Sequence, residues 1–364
     1  MALARQTKRL DPEVFRLPVE RIRAGYYTDA YFNFTKELLE ASDRHPNVVM
    51  QVFQKHHSVL GGIDEAIAVL KLCSGRDVDG DWQPGWDDLT VHALHEGDEI
   101  SPYESVMHIE GDYSLFAHLE TVYLGSLARR TLIMRNVRDV VEAAAGKPIL
   151  YFPARHDHWL VQTGDGWAAH IAGAIGVSTD AQASWWGGKG IGTVPHALIA
   201  CFNGDTVAAA RAFAEHVAGE TRIVVLVDFE NDSVKTSLEV ADALGERLWG
   251  VRLDTSHTII DRSLLDHMGT FDPRGVNPEL VRLVRKALDE AGHGRVRIVV
   301  SGGFTAERIR EFERQEVPVD VYGVGSSLIR GENDFTADVV MVEGRPCAKV
   351  GREFSPNERM QLVE

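Results

Sequence analysis

Four short apolar runs in the second half of the chain, each closing on an acid or on glycines, constrain the fold more than any other feature. IVVLVD ends at Asp228, GVRLD at Asp254, VRIVVSGG at Gly302 and Gly303, and VDVYGVGSS passes through Gly323 and Gly325. Runs this short and this apolar read as parallel strands covered on both faces. Stretches of helical period lie between them, and one is marked at both ends. Asn277 and Pro278 open it, Leu280, Val281, Val284 and Leu288 share a face, and Gly292 follows its end. This alternation predicts a β/α barrel, whose strand tips converge on one mouth. Two carboxylates and two glycine turns at such a mouth call for a metal and sugar hydroxyls beside a phosphate, the outline of a phosphorylated sugar.

At 364 residues the chain exceeds the roughly 250 of a typical barrel. That leaves room for a smaller α+β domain over residues 1–112, with the barrel over 113–334 and an alternating tail, 335–364, packing back on the first domain. The long stretch from Tyr113 to Ala145 is expected to be helical, as is Thr206 towards Val217. No apolar stretch reaches the roughly 20 residues that span a bilayer, and no signal region follows the basic start, so the expected compartment is the cytoplasm. A formal charge of -16 disfavours nucleic acid and anionic membranes as partners. Cys73, Cys201 and Cys347 are far apart and outside any CxxC spacing, and are expected to be ordinary buried thiols.

Each constellation that could carry chemistry has a structural competitor. Asp228 and Asp254 end strand-like runs, where a carboxylate can hold Mg2+ or ribose hydroxyls; both are also followed by residues that could open a helix, which would make them caps. Arg252 stands two residues before Asp254, so both side chains face one side of a strand, as site residues or as a structural ion pair. SGGF with Thr305, and YGVGSS after it, offer backbone amides to phosphate, although glycine is common in such loops. GGKGIGT lacks the spacing of a nucleotide loop and reads as a lid or turn. His156 and His158 lack a third metal ligand and read as a polar wall. His196 falls at an apparent helix start, and Tyr31 and Phe152 would ordinarily be core.

Taken in order, YYTDAYF, VFQKHHSVLGGIDEA, ILYFPARH, GVSTDA, GTVPHALIA, VRLDTS, SGG, YGVGSSL and AKVGR resemble the nicotinate phosphoribosyltransferase family over nearly the whole chain. The resemblance implies an α/β fold: an irregular α/β barrel of the type II phosphoribosyltransferase kind with a smaller α+β domain built from the N-terminal segment and the tail. It implies a homodimer or higher homo-oligomer with shared sites. Nicotinate would stack between Phe152 and Tyr31, the latter donated by a neighbouring subunit, with Arg252 on its carboxylate. Arg155 would hold ribose phosphate or pyrophosphate, and Asp180 would orient the ring. Asp228 and Asp254 would serve ribose hydroxyls and Mg2+, while Gly302, Gly303, Gly323, Gly325 and Ser326 would cradle the 5-phosphate of phosphoribosyl pyrophosphate.

His196 falls where family members carry a histidine phosphorylated by ATP, which would make ATP a co-substrate. One departure is VRLDTSHT, where Thr255, Ser256 and His257 occupy a turn in which many relatives have glycine. Two other readings stay open. A quinolinate phosphoribosyltransferase would need more cationic groups than Arg155, Lys189 and Arg252. A lyase-type barrel would need a strand-tip lysine, which none of the four tips carries, and a non-catalytic phosphate-binding barrel would have no need of paired Asp228 and Asp254.

Overall fold

The computed structural model describes residues 8–217, 219, 222–269 and 271–364. The chain divides into two compact units, one of residues 136–330 and one of residues 2–135 with 331–364. Among the described residues no helix is long and apolar enough to cross a membrane.

The 136–330 unit is built on a parallel sheet. In spatial order its strands are Ile223–Leu226, Leu248–Leu253, Arg297–Val300, Val321–Val324, Ile149–Tyr151 and Gly176–Val177. The four apolar runs are thus neighbours in chain order. A short irregular segment continues the ring: Ile191 N donates to Val177 O at 2.8 Å and Val194 N to Val224 O at 2.9 Å, so residues 191–194 reach from the last strand to the first. That linkage makes the sheet an irregular barrel. Val224, Val299 and Val321, with Leu150 and Trp249, form an apolar plug. Val299 is the register partner of Arg252, so the plug adjoins the polar residues at the strand ends.

The helices around this sheet follow their sequence signals. Asn277 Oδ1 accepts from Leu280 N at 3.0 Å, and the helix Pro278–Glu290 buries Leu280, Val281, Val284 and Leu288 completely. Burying each such side chain contributes about 1.5–3 kcal/mol. Gly292 then adopts φ +82° beyond the helix end. The helix Ser233–Leu244 is capped by Asp232, and Ala306–Arg314 by Thr305. Asp261 caps the 3-10 helix Arg262–His267, so neither Asp228 nor Asp254 is the cap of the helical element that follows it.

The other unit carries an antiparallel sheet. Thr336–Val342 pairs with Asn47–Phe53, which pairs with Ser105–Asp112, which pairs with Thr90–Ala93. The tail therefore joins the N-terminal sheet. Val48, Met50 and Val52 point alternately into a core shared with the helix Ile63–Cys73 and with Tyr123 and Leu127.

Three expectations differ in detail. The long helix spans Glu120–Ala143, because 113–119 forms two 3-10 turns. The units divide inside that helix, after 135, and again after 330, whereas the sequence reading drew its lines at 112 and 334; the helix buries Tyr123 and Leu127 in the antiparallel unit before its remainder joins the barrel. Of the thiols only Cys73 is buried. Cys201 ends the short helix His196–Cys201 and Cys347 follows an edge strand, and both are exposed.

Candidate active site

The C-terminal ends of the barrel strands surround a cleft of about 830 Å³, within the range of small-molecule sites. Phe152, Arg155, His196, Arg252, Asp254, Gly302, Gly303, Gly323, Gly325 and Ser326 all line it, together with His156, Thr305 and Arg330. Residues separated by up to 178 positions in sequence meet here because parallel strands deliver their tips to one side.

Arg252 is the centre of the arrangement. Its guanidinium carbon lies 5.0 Å from the centroid of the Phe152 ring, a cation–π contact. Its Nε donates to Ser301 Oγ at 2.7 Å, and Ser301 Oγ in turn lies 2.7 Å from Asp254 Oδ1. Nη2 lies 3.5 Å from Asp254 Oδ2. Burial pulls the Arg252 pKa down from its usual value, while Asp254 and Asp228 oppose that shift. A half-buried cation beside an aromatic face is suited to a flat anion that brings its own negative charge.

The glycines keep backbone close to this cluster. Gly302 and Gly303 have φ of +88° and +76°, a turn that other residues adopt only with strain. A Cβ on Gly323 would fall 2.8 Å from a Phe152 ring carbon, and one on Gly325 would fall 3.0 Å from the His156 ring. Arg308 latches the first turn by donating to Gly302 O at 2.9 Å, and Ser327 Oγ donates to Phe304 O at 2.8 Å. Neither Arg308 nor Ser301 was singled out from sequence. Ser301 stands directly before the glycine pair at a strand end, which was the available signal.

His196 begins its helix at the cleft wall, and its Nε2 lies 2.8 Å from Asp228 Oδ1. A carboxylate only accepts, so this contact places the proton on Nε2 and leaves the Nδ1 lone pair available in the neutral ring. The His196 pKa is raised, chiefly by the Asp228 hydrogen bond and against burial, with further help from the charges of Asp228 and Asp254.

Other expected residues stand elsewhere. Asp228 is turned towards His196 and is not among the lining residues. Asp180 is exposed and accepts from Gly190 N at 2.8 Å, so it ties down the 187–193 segment in place of lining the cleft. Lys189 is exposed and also outside the lining. Tyr31 belongs to the antiparallel unit and is 60% exposed, contrary to a core role. No cluster of three or more potential metal-ligating His, Cys, Asp or Glu residues occurs among the described residues.

The chain has clear relatives. The family described as quinolinate phosphoribosyl transferase, N-terminal domain, matches residues 29–131. A nicotinate phosphoribosyltransferase of Mycobacterium tuberculosis is 31% identical over 268 residues, 71% of this chain and 55% of that protein. The chain spans about half the length of the curated relatives it matches. The crystal structure of a nicotinate-nucleotide pyrophosphorylase from Pyrococcus furiosus superposes with a TM-score of 0.78 and 34% identity, covering 95% of this chain and 85% of that one. Human nicotinic acid phosphoribosyltransferase, at TM-score 0.67 and 19% identity over 90% of this chain and 77% of that one, shares the fold. With the strand-tip cleft, its paired glycine turns and its arginine–aromatic wall in place, this agreement over nearly the full chain identifies a member of the type II phosphoribosyltransferase family, to which the nicotinate-nucleotide pyrophosphorylase and the nicotinate phosphoribosyltransferases belong.

Proposed function

We propose that the chain forms nicotinate mononucleotide and pyrophosphate from nicotinate and phosphoribosyl pyrophosphate, a step of NAD salvage. The observation that carries this reading is Arg252, 5.0 Å above Phe152 at a cleft that also holds two glycine turns. Nicotinate is a flat ring with one carboxylate. It would lie along Phe152 with its carboxylate on the Arg252 fork, and Tyr31 of a second copy would cover its other face. The pyridine nitrogen then bonds to C1 of the ribose as the bond from C1 to the pyrophosphate oxygen breaks, with that electron pair leaving on pyrophosphate. Asp254 faces the positive charge that develops on the ribose, Arg155 the leaving group, and the Gly302–Gly303 and Gly323–Ser326 turns the 5-phosphate.

Two carboxylates are too few for an all-protein Mg2+ cage, yet they suit an ion shared with substrate phosphates. Asp254 and the second oxygen of Asp228 would hold it, and when bound it would neutralise the leaving pyrophosphate. ATP would act at His196: Nδ1 takes the γ-phosphoryl group, ADP leaves, and the phosphohistidine is hydrolysed after turnover. Asp228 holding Nε2–H supports that role. The charged substrates make the cytoplasm the expected setting. A homodimer is supported by Tyr31, Phe34 and Leu38, which form an exposed apolar stripe on the helix Ala30–Ala41.

Incubation with phosphoribosyl pyrophosphate, Mg2+ and nicotinate, nicotinamide or quinolinate tests the reading by pyrophosphate release. Nicotinate should be preferred. Release with quinolinate alone, accompanied by CO2, would transfer the chain to the decarboxylating reaction.

A further inference from the structure

One buried hydroxyl beside the proposed nicotinate site, that of Ser301, has no part in the chemistry set out above. Ser301 is 3% exposed and sits at the end of the strand Arg297–Val300. The parallel register pairs Leu253 with Val300, and Ser301 N donates to Leu253 O at 2.9 Å, which sets Ser301 beside Asp254 on the neighbouring strand. Its hydroxyl has one proton to give. Leu253 O lies 3.2 Å away and Asp254 Oδ1 2.7 Å, and the shorter contact is to the charged acceptor. The oxygen is then free to accept Arg252 Nε–H at 2.7 Å.

The result is a closed ring of contacts, Arg252 to Ser301 to Asp254 and back through Nη2 at 3.5 Å. Nε is the one guanidinium nitrogen that carries a single proton. Holding it fixes the rotation of the whole planar group, with Phe152 packed on its face. The terminal nitrogens make no hydrogen bond shorter than 3.5 Å among the described residues. They remain the edge available to a ligand carboxylate. Gly323 leaves room beside this hydroxyl, since a Cβ there would stand 3.4 Å from Ser301 Cβ.

Resting on the nicotinate reading above, we infer that Ser301 is a positioning residue that aims the Arg252 fork and so sets the preference for a ring carboxylate over a ring amide. It touches no substrate; it acts through Arg252. Ser301→Ala should raise KM for nicotinate about tenfold, the loss of one charge-assisted bond, while KM for phosphoribosyl pyrophosphate changes little. Its preference for nicotinate over nicotinamide should narrow by a similar factor. Ser301→Thr, which keeps the hydroxyl, should recover most of both. In the Arg252→Lys background the Ala change should add almost nothing, because the Nε–H it holds is gone.

The experiment compares these variants with wild type in the pyrophosphate assay, with circular dichroism confirming their fold. Wild type inactive with every pyridine acid overturns the nicotinate reading. Wild type active with an unchanged KM in Ser301→Ala, or fully additive effects with Arg252→Lys, overturns the role of Ser301 alone. A readout without substrate is the 15N–1H signal of Arg252 Nε–H, slow to exchange in wild type and in Ser301→Thr and lost in Ser301→Ala. The same exchange rate in all three also overturns the inference.

Discussion

Asp228 and Asp254 carry the same sequence signal, a carboxylate just past a buried parallel strand, and they end in different company. Asp254 lies next to a strand whose tip supplies Ser301, and it joins an arginine and a serine in the cleft lining. Asp228 stands at the tip of the strand Ile223–Leu226, which is bridged on its other side by the 191–194 segment, and that segment leads directly into His196. One acid therefore faces substrate and the other faces a histidine. The position of a strand-tip acid follows from its own strand, whereas its chemistry is decided by the neighbour.

That contrast breaks most sharply by neutralising each acid in turn. Asp254→Asn should lower kcat by about 10²–10³, the usual cost of removing a charge that meets the transition state. Asp228→Asn, assayed without ATP, should stay much closer to wild type and should lose ATP stimulation. Equal losses in both would mean that Asp228 serves the ribose or the metal as directly as Asp254 does.

Arg252→Lys comes next in size. An ammonium cannot offer the planar two-point contact, so KM for nicotinate should rise by the equivalent of about 1.5–3 kcal/mol, with phosphoribosyl pyrophosphate binding preserved. An unchanged KM in a folded variant would remove Arg252 from the carboxylate site. Smaller still is Gly302→Ala. Its φ of +88° strains any side chain by about 1–2 kcal/mol, and the loss should appear as a lower thermal midpoint and weaker binding of phosphoribosyl pyrophosphate.

The subtlest expectation concerns His196 and pH. The Asp228 bond raises the His196 pKa above its ordinary 6.5 and burial alone would lower it. Asp228→Asn should therefore move the NMR titration of His196 to lower pH. The sign for stability follows: the raised pKa contributes stability that is fully present below about pH 6.5 and is lost as pH rises through the folded value. ATP-dependent phosphorylation needs neutral Nδ1, so it should grow with pH over that same window. An unshifted titration in the variant would show that the contact does not persist in solution.

Much of the barrel was legible because its signals are local. Apolar runs covered on both faces, the Asn277 cap and the buried face of Leu280, Val281, Val284 and Leu288 are dictated by neighbours within a few residues, and the structure follows them. The thiols were read less well. A cysteine's burial depends on what packs over it, and Cys201 and Cys347 are exposed. Asp180 was placed by resemblance at the ring, yet its carboxylate holds Gly190 ten residues on, a contact that depends on how the 187–193 segment folds back. Arg308 showed no pattern at all, since its task is to donate to the carbonyl of Gly302 across a turn.

By itself, then, the sequence determined the strands, their caps, the positions of Arg252, Asp254 and the glycine turns, and the kinship with phosphoribosyltransferases. Period, capping and φ preference are short-range physics, readable along the chain. Tertiary structure alone decided that Ser301 would link Arg252 to Asp254, that Asp228 would take His196, and that residues 191–194 would bridge the ends of the sheet. Those pairings depend on parallel register, which sets side by side strands that the chain separates by whole helices. A hydroxyl proton finds its acceptor at 2.7 Å in space, and no spacing along the chain encodes that distance.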